Sequence, residues 1–229
     1  MTTKQNPADR LNDIFNRLAE HFGPLHWWPA ETPFEVVVGA ILTQNTAWRN
    51  VELAIAALKD ADVLSASGLL RIEREKLEEL IRPSGFFRQK AERLQLFATY
   101  LRDRHAGDLA HLLAGPLEQV RAELLTLKGI GPETADSILL YAGDRPSFVV
   151  DAYTRRLLTR LGLLAGQEKY AEIRSLFMDH LPHSSELFNE YHALIVEECK
   201  VYCRVKPRCA ACPLRSVCGY CHSLNHPLF

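Results

Sequence analysis

Apolar residues recur at helical spacing along almost the whole chain. Leu11, Ile14, Phe15, Leu18 and Phe22 share one face of a helix that Pro7 can start and Gly23 can end. Thr32-Pro33 marks a second start, and the apolar stretch after it carries that helix to about residue 43. Trp48, Val51, Ile55 and Leu58 line a third, over about 47–59. The same reasoning predicts helices over about 74–81, 88–104, 116–127, 132–141, 152–161, 168–180 and 185–200. Only 147–150 reads as extended, and one short piece cannot make a sheet. The pattern predicts an all-α fold. No internal repeat or low-complexity linker marks a domain boundary.

Composition narrows this picture only a little. With 229 residues, 47% of them hydrophobic and 24% charged, the chain reads as globular and large enough for one large domain or two small ones. Disorder and collagen-like repeats are excluded. The longest apolar run, 36–42, falls far short of the roughly 20 residues that span a bilayer. The polar start lacks the basic-then-apolar pattern of a secretory signal, so the expected location is the reducing cytoplasm, without disulfides and without a membrane.

Charge and cysteine usage change the picture once they are split by position. The net charge is -1, yet residues 199–229 carry five basic residues (Lys200, Arg204, Lys206, Arg208 and Arg215) and no acid, leaving -6 on the rest. All six cysteines also lie there, at 199, 203, 209, 212, 218 and 221. Cys203, Cys209, Cys212 and Cys218 place four thiols within 16 residues, with Pro207 and Pro213 breaking helix between them. Thiols so grouped in a reducing compartment point to a metal. Spacing alone leaves zinc and an iron-sulfur cluster open. The segment Cys218-Gly-Tyr-Cys221-His222 also fits the CxxCH pattern of covalent haem attachment, which requires an export signal that is not visible. Five cations in one short loop without an acid favour a local anion-binding patch, with Lys206 and Arg208 inside the loop.

Two further motifs carry chemistry. Residues 124–141, LLTLKGIGPETADSILLY, read as a helix end, a Gly-Ile-Gly turn and a new helix started by Pro132, with Ala135 facing the turn. Gly129 and Gly131 are expected to turn the backbone at positive φ and leave its N–H groups uncovered beside a helix start, which suits a phosphate oxygen. An ordinary helix corner with a glycine cap has the same local sequence. Then follows VVDAYTRRLLTRLG, 149–162, in which Asp151 stands where an extended piece enters a helix. Asp is a good N-cap, and a carboxylate held ionised by a helix N-terminus also suits a stabiliser of developing positive charge.

At this pair of motifs the sequence resembles the helix-hairpin-helix DNA glycosylases of the endonuclease III superfamily, over about 34–218. Their hairpin LxGxGxxTAxxI and the following VDxxxxRxxxRLG both stand here with few departures. The resemblance implies two lobes with a cleft between them: a helical barrel over 32–145 with its helix-hairpin-helix at 116–142, and a second lobe from 1–31 plus 146–229. It implies that Lys128, Gly129, Ile130 and Gly131 grip DNA phosphates and that Asp151 is the catalytic carboxylate. A 4Fe-4S cluster is implied at 203–218, held by Cys203, Cys209, Cys212 and Cys218, although the family's first gap is one residue longer. Cys199 is the other candidate for the first ligand, and Cys221 becomes a spare. The implied partner is damaged double-stranded DNA, bound by a monomer at the nucleoid.

One departure bears on the reaction. Bifunctional members carry a lysine at the position of Glu133, where it attacks the sugar to form a Schiff base, and Glu133 cannot do so. A monofunctional glycosylase is therefore expected, with Asp151 stabilising an oxocarbenium-like sugar and orienting water.

Such an enzyme must flip its target base into a pocket that stacks on it. The tryptophans, Trp27, Trp28 and Trp48, bracket a family-like helix and loop, 34–46. In the superfamily a polar residue on this loop fills the gap left in the duplex, and Gln44 or Asn45 matches it. Together with 82–94, RPSGFFRQKAERL, these segments resemble the 3-methyladenine glycosylase branch. That implies a base pocket lined by Trp27, Trp28 and Trp48 and an alkylated purine as substrate, whose positive charge gains a cation-π attraction. The alternatives are an endonuclease III-like glycosylase and lyase for oxidised pyrimidines, and a DNA-binding protein without catalysis.

Overall fold

The computed structural model describes residues 6–25 and 30–225, so Trp27 and Trp28 lie outside the described residues. The chain divides into two compact units, one formed by Met1–Trp27 with Pro146–Phe229 and the other by Trp28–Arg145. No strand occurs among the described residues.

The contiguous unit is built around α2 (Pro33–Leu42). Thr32 caps it by accepting the Glu35 amide at 3.1 Å, Pro33 fits the first turn, and every residue from Glu35 to Leu42 is buried. A helix apolar on all sides belongs at the centre of a core. Around it stand α3 (Trp48–Asp60), α4 (Ala66–Arg71), α5 (Arg74–Leu80), α6 (Phe87–His105), α7 (Leu109–Leu113), α8 (Leu117–Leu125) and α9 (Pro132–Ser137), the last continuing as a π-helical turn over Ile138–Ala142. The short helices α4 and α7 fall where no helix was expected, because each spans under two turns and shows no full period.

A buried cation ties the centre of this unit together. Lys90, 1% exposed, donates to the carbonyl of Leu42 at the end of α2 (2.8 Å) and to that of Ser84 (2.6 Å). These are the helix-end acceptors that otherwise lack partners. Lys90→Met should lose both bonds and about 2 kcal/mol of stability, seen as a lowered thermal midpoint. Burial pushes the Lys90 ammonium down from 10.5 to about 8. Between those values the unfolded chain keeps a proton that the folded chain has shed, so this group's contribution rises with pH there. The stability difference between wild type and Lys90→Met should widen across the same window.

The other unit joins α1 (Pro7–Phe22) to α10 (Ala152–Arg160), α11 (Tyr170–Met178), α12 (Ser185–Val201) and α13 (Gly219–Asn225). Asn6 caps α1, and Gly23 ends it at φ 69°. Tyr191 of α12 is fully buried and donates to the Leu11 carbonyl at 2.9 Å, fixing α1 on α12. The extended stretch 147–150 pairs with nothing as a strand. It is a buried strap instead: Phe148 stacks on Phe177 with ring centroids 3.5 Å apart and meets Phe188 edge-on at 5.5 Å.

Candidate functional site

In the contiguous unit, residues between α8 and α9 form the glycine hairpin. Gly129 has φ 87°, and a Cβ there would come within 2.3 Å of the Arg93 side chain, so only glycine fits. Gly131 departs from expectation. Its φ of -92° and ψ of 178° are ordinary extended backbone, and a Cβ there would meet nothing within 4 Å. Its use is not to make the turn but to leave the backbone bare toward open space. Ile130 between them is buried and anchors the hairpin in the core.

Arg93 is a hairpin residue that sequence reasoning missed. It lies across Gly129 and donates to Gln44 Oε1, while Gln44 Nε2 donates to the Gly129 carbonyl at 3.0 Å and to Thr134 Oγ1 at 2.9 Å. Gln44 is thus committed to the hairpin. Asn45 is exposed at the tip of the α2–α3 loop with φ 58°, a left-handed conformation that asparagine tolerates. Lys128 is exposed and pairs with Glu92 at 2.5 Å, and Arg93, Arg104 and Lys128 line a groove beside the hairpin. Glu133 is exposed in the first turn of α9. Behind the hairpin, Arg121 of α8 holds the fully buried Asp136 of α9 through two bonds of 2.8 and 3.0 Å. Trp48 opens α3, partly buried against the core of this unit.

In the other unit, Asp151 caps α10. Its Oδ1 accepts the Thr154 amide at 2.7 Å and the Thr154 hydroxyl at 2.9 Å, and its Oδ2 faces His192 Nε2 at 3.7 Å. Burial pushes this carboxyl up, but His192 and the two Thr154 donors outweigh it and hold the group below the usual carboxylate range. His192, buried on α12, carried no role in the sequence, since its approach to Asp151 exists only through the packing of α12 on α10.

The same helix α10 organises the cysteine loop. Arg160 donates to Cys203 Sγ at 3.3 Å and to the Arg204 carbonyl at 2.6 Å, and Arg156 donates to the Cys203 carbonyl at 2.8 Å. Cys203, Cys209, Cys212, Cys218 and Cys221 line one cavity. Cys199 is not part of its wall, and its thiol lies 3.6 Å from the Tyr153 carbonyl. Glu198 also reaches the cavity. It is fully buried, its Oε1 lies 3.1 Å from Cys212 Sγ, and its Oε2 has no hydrogen-bond partner. Among the described residues, no three His, Cys, Asp or Glu side chains converge as a site for a single metal ion. Lys206 and Arg208 are exposed on the loop.

A helical protein with a glycine hairpin in one unit, and a capped aspartate and a cysteine loop in the other, has the make-up of a base-excision glycosylase. Residues 38–183 match the HhH-GPD superfamily of base excision DNA repair proteins, and the chain belongs to that family. It is 48% identical over 217 residues to a Methanocaldococcus jannaschii protein named "Putative DNA repair glycosylase MJ1434", covering 94% of this chain and 98% of that one. It is 27% identical to endonuclease III of Sulfolobus acidocaldarius, over 82% of each chain. Its fold is similar to that in a non-covalent endonuclease III–DNA complex, with a TM-score of 0.82 at 23% identity over 98% of this chain and 99% of that one. It is also similar to the H. pylori 3-methyladenine DNA glycosylase bound to 1,N6-ethenoadenine, with a TM-score of 0.73 at 30% identity over 86% and 98%. The chain is a DNA repair glycosylase of the HhH-GPD family, and no helix among its described residues is long and apolar enough to cross a membrane.

Proposed function

We propose that this glycosylase is monofunctional, hydrolysing the N-glycosidic bond of an alkylated purine in duplex DNA without cutting the strand. The observation that carries the reading is Glu133: an exposed carboxylate stands at the hairpin position where a lyase needs an amine. Lys128 does not stand at that position, since it precedes the turn at Gly129. With no imine available, the work falls to Asp151. Its Oδ1 is fixed by Thr154, and its ionised Oδ2 is the edge that faces a sugar gaining positive charge and a water attacking it. A purine made cationic by alkylation leaves readily, so this modest machinery suffices.

The hairpin from Lys128 to Gly131 grips backbone phosphate through N–H groups other than that of Ile130, which donates to the Leu127 carbonyl at 3.0 Å, and is helped by Arg93 and Arg104. Asn45 enters the duplex, because Gln44 is occupied in holding the hairpin. Trp48 stacks on the flipped base together with Trp27 and Trp28. The likeness to a 3-methyladenine glycosylase supports the purine, and the endonuclease III relatives support oxidised pyrimidines, the second reading.

The cysteine cavity fits a 4Fe-4S cluster. Five thiols line it, and thiolates are the ligands that such a cluster takes. Glu198, whose Oε2 has no hydrogen-bond partner, lines the same cavity. Cys203, Cys209, Cys212 and Cys218 would hold the cluster, and Cys218 and Cys221 face this cavity rather than a separate haem site. A bound cluster would cross-link the loop that carries Lys206 and Arg208 toward DNA.

The test is a panel of duplexes bearing 3-methyladenine, 7-methylguanine, hypoxanthine, uracil or thymine glycol, scored separately for base release and strand cleavage. Release of 3-methyladenine with no cleavage and no borohydride-trapped adduct is the expected result. A trapped adduct would refute monofunctional chemistry, and release of thymine glycol alone would transfer the assignment to oxidised pyrimidines.

A further inference from the structure

The cavity in the cysteine loop has one thiol more than a four-cysteine cluster uses. Cys221 was a spare in the sequence, yet it is 3% exposed and stands in the cavity wall beside the four family positions. It lies on α13, which begins at Gly219 directly after Cys218. Cys209 lines the same cavity. Cys209 is less deeply buried than Cys203, Cys218 and Cys221, and exposed Arg208 and Ala210 flank it. A partly exposed thiol therefore shares the cavity wall with a sheltered one.

We propose that Cys221 is a reserve ligand that takes over the iron served by Cys209 when that thiolate is lost. The inference rests on the reading that this loop holds a 4Fe-4S cluster. In the exchange the iron–sulfur bond to Cys209 breaks and one to Cys221 forms. The proton released by the Cys221 thiol passes to the departing Cys209 thiolate, and no electrons are gained or lost. In a Cys209→Ser chain no bond need break, and the proton goes to solvent. Cys199 cannot serve this way, since it is outside the cavity wall.

The experiment purifies wild type, Cys209→Ser, Cys221→Ser, Cys218→Ser and the Cys209→Ser/Cys221→Ser pair without oxygen. It measures iron and acid-labile sulfide per chain and the broad absorbance near about 400 nm. Wild type and Cys221→Ser should be alike, Cys209→Ser should keep more than about half of the wild-type iron and sulfide, and the double variant and Cys218→Ser should lose nearly all. Loss from Cys209→Ser alone, or retention in the double variant, would overturn the proposal. Wild type lacking iron and sulfide would instead overturn the underlying cluster reading. If Cys209→Ser does not fold, the bleaching of that absorbance by dilute peroxide decides: several-fold faster loss in Cys221→Ala than in wild type supports the reserve role, and equal rates refute it.

Discussion

Asp151→Asn is expected to lower single-turnover base release by about 10²–10⁴-fold while leaving affinity for lesion-bearing DNA unchanged. The substitution is chosen because Asp151 does two things at once. As a cap it accepts the Thr154 amide and hydroxyl through Oδ1, and asparagine accepts both equally well, so α10 keeps its start. As an anion it is held ionised by His192 and Thr154 against the cost of its burial, and asparagine removes that charge alone. Alanine would confound the two roles by uncapping the helix. A fall in rate with an unchanged melting point and unchanged binding identifies the charge as the catalytic element. A rate within a few-fold of wild type would mean that Asp151 is only a cap and that another group carries the chemistry.

The double use of Asp151 shows which parts of this molecule were legible in the sequence. Caps and starts are local: Pro7, Thr32-Pro33 and Asp151 each announce a helix with no help from tertiary structure, and all three stand at helix starts. The all-α fold followed from them and from the apolar spacing. The arginines of 149–162 were visible as part of a motif but not as a mechanism, because what they hold, the backbone around Cys203, lies over 40 residues away. Arg93 was invisible for the same reason. Only the approach of α6 to the hairpin lays Arg93 across Gly129 and onto Gln44. Gly131 was misjudged because two glycines in one turn look equivalent in sequence, although only Gly129 needs a positive φ. Likewise Cys221 looked redundant by counting ligands, and only the folding of α13 onto the loop turns it into the cavity. Short-range rules thus located the elements, and contacts between elements decided which side chains remain free to act.

The largest expected loss of stability lies behind the hairpin, at Arg121. Asp136 is fully buried, and the Arg121 guanidinium meets both of its oxygens, at 2.8 and 3.0 Å, from the helix on the other side of the turn. The pair is the clasp of the helix-hairpin-helix, joining α8 to α9 where Gly129 and Gly131 give the backbone little stiffness of its own. A buried ion pair of this kind adds little net stability over a hydrophobic pair, because both charges lose water. Removing one partner is different, since a carboxylate in the interior then keeps its desolvation cost and loses its bidentate guanidinium. Arg121→Ala is accordingly expected to destabilise the protein by about 3–5 kcal/mol, which corresponds to a fall of roughly 10 °C in melting temperature for a chain of this size. Arg121→Met combined with Asp136→Leu should recover most of that loss. The recovered double variant then isolates the clasp's role in DNA binding: if the ion pair fixes the hairpin, its affinity for DNA falls while its stability does not. A loss below about 1 kcal/mol in Arg121→Ala would show that the clasp is replaceable by the packing around Ile130 and Ala135.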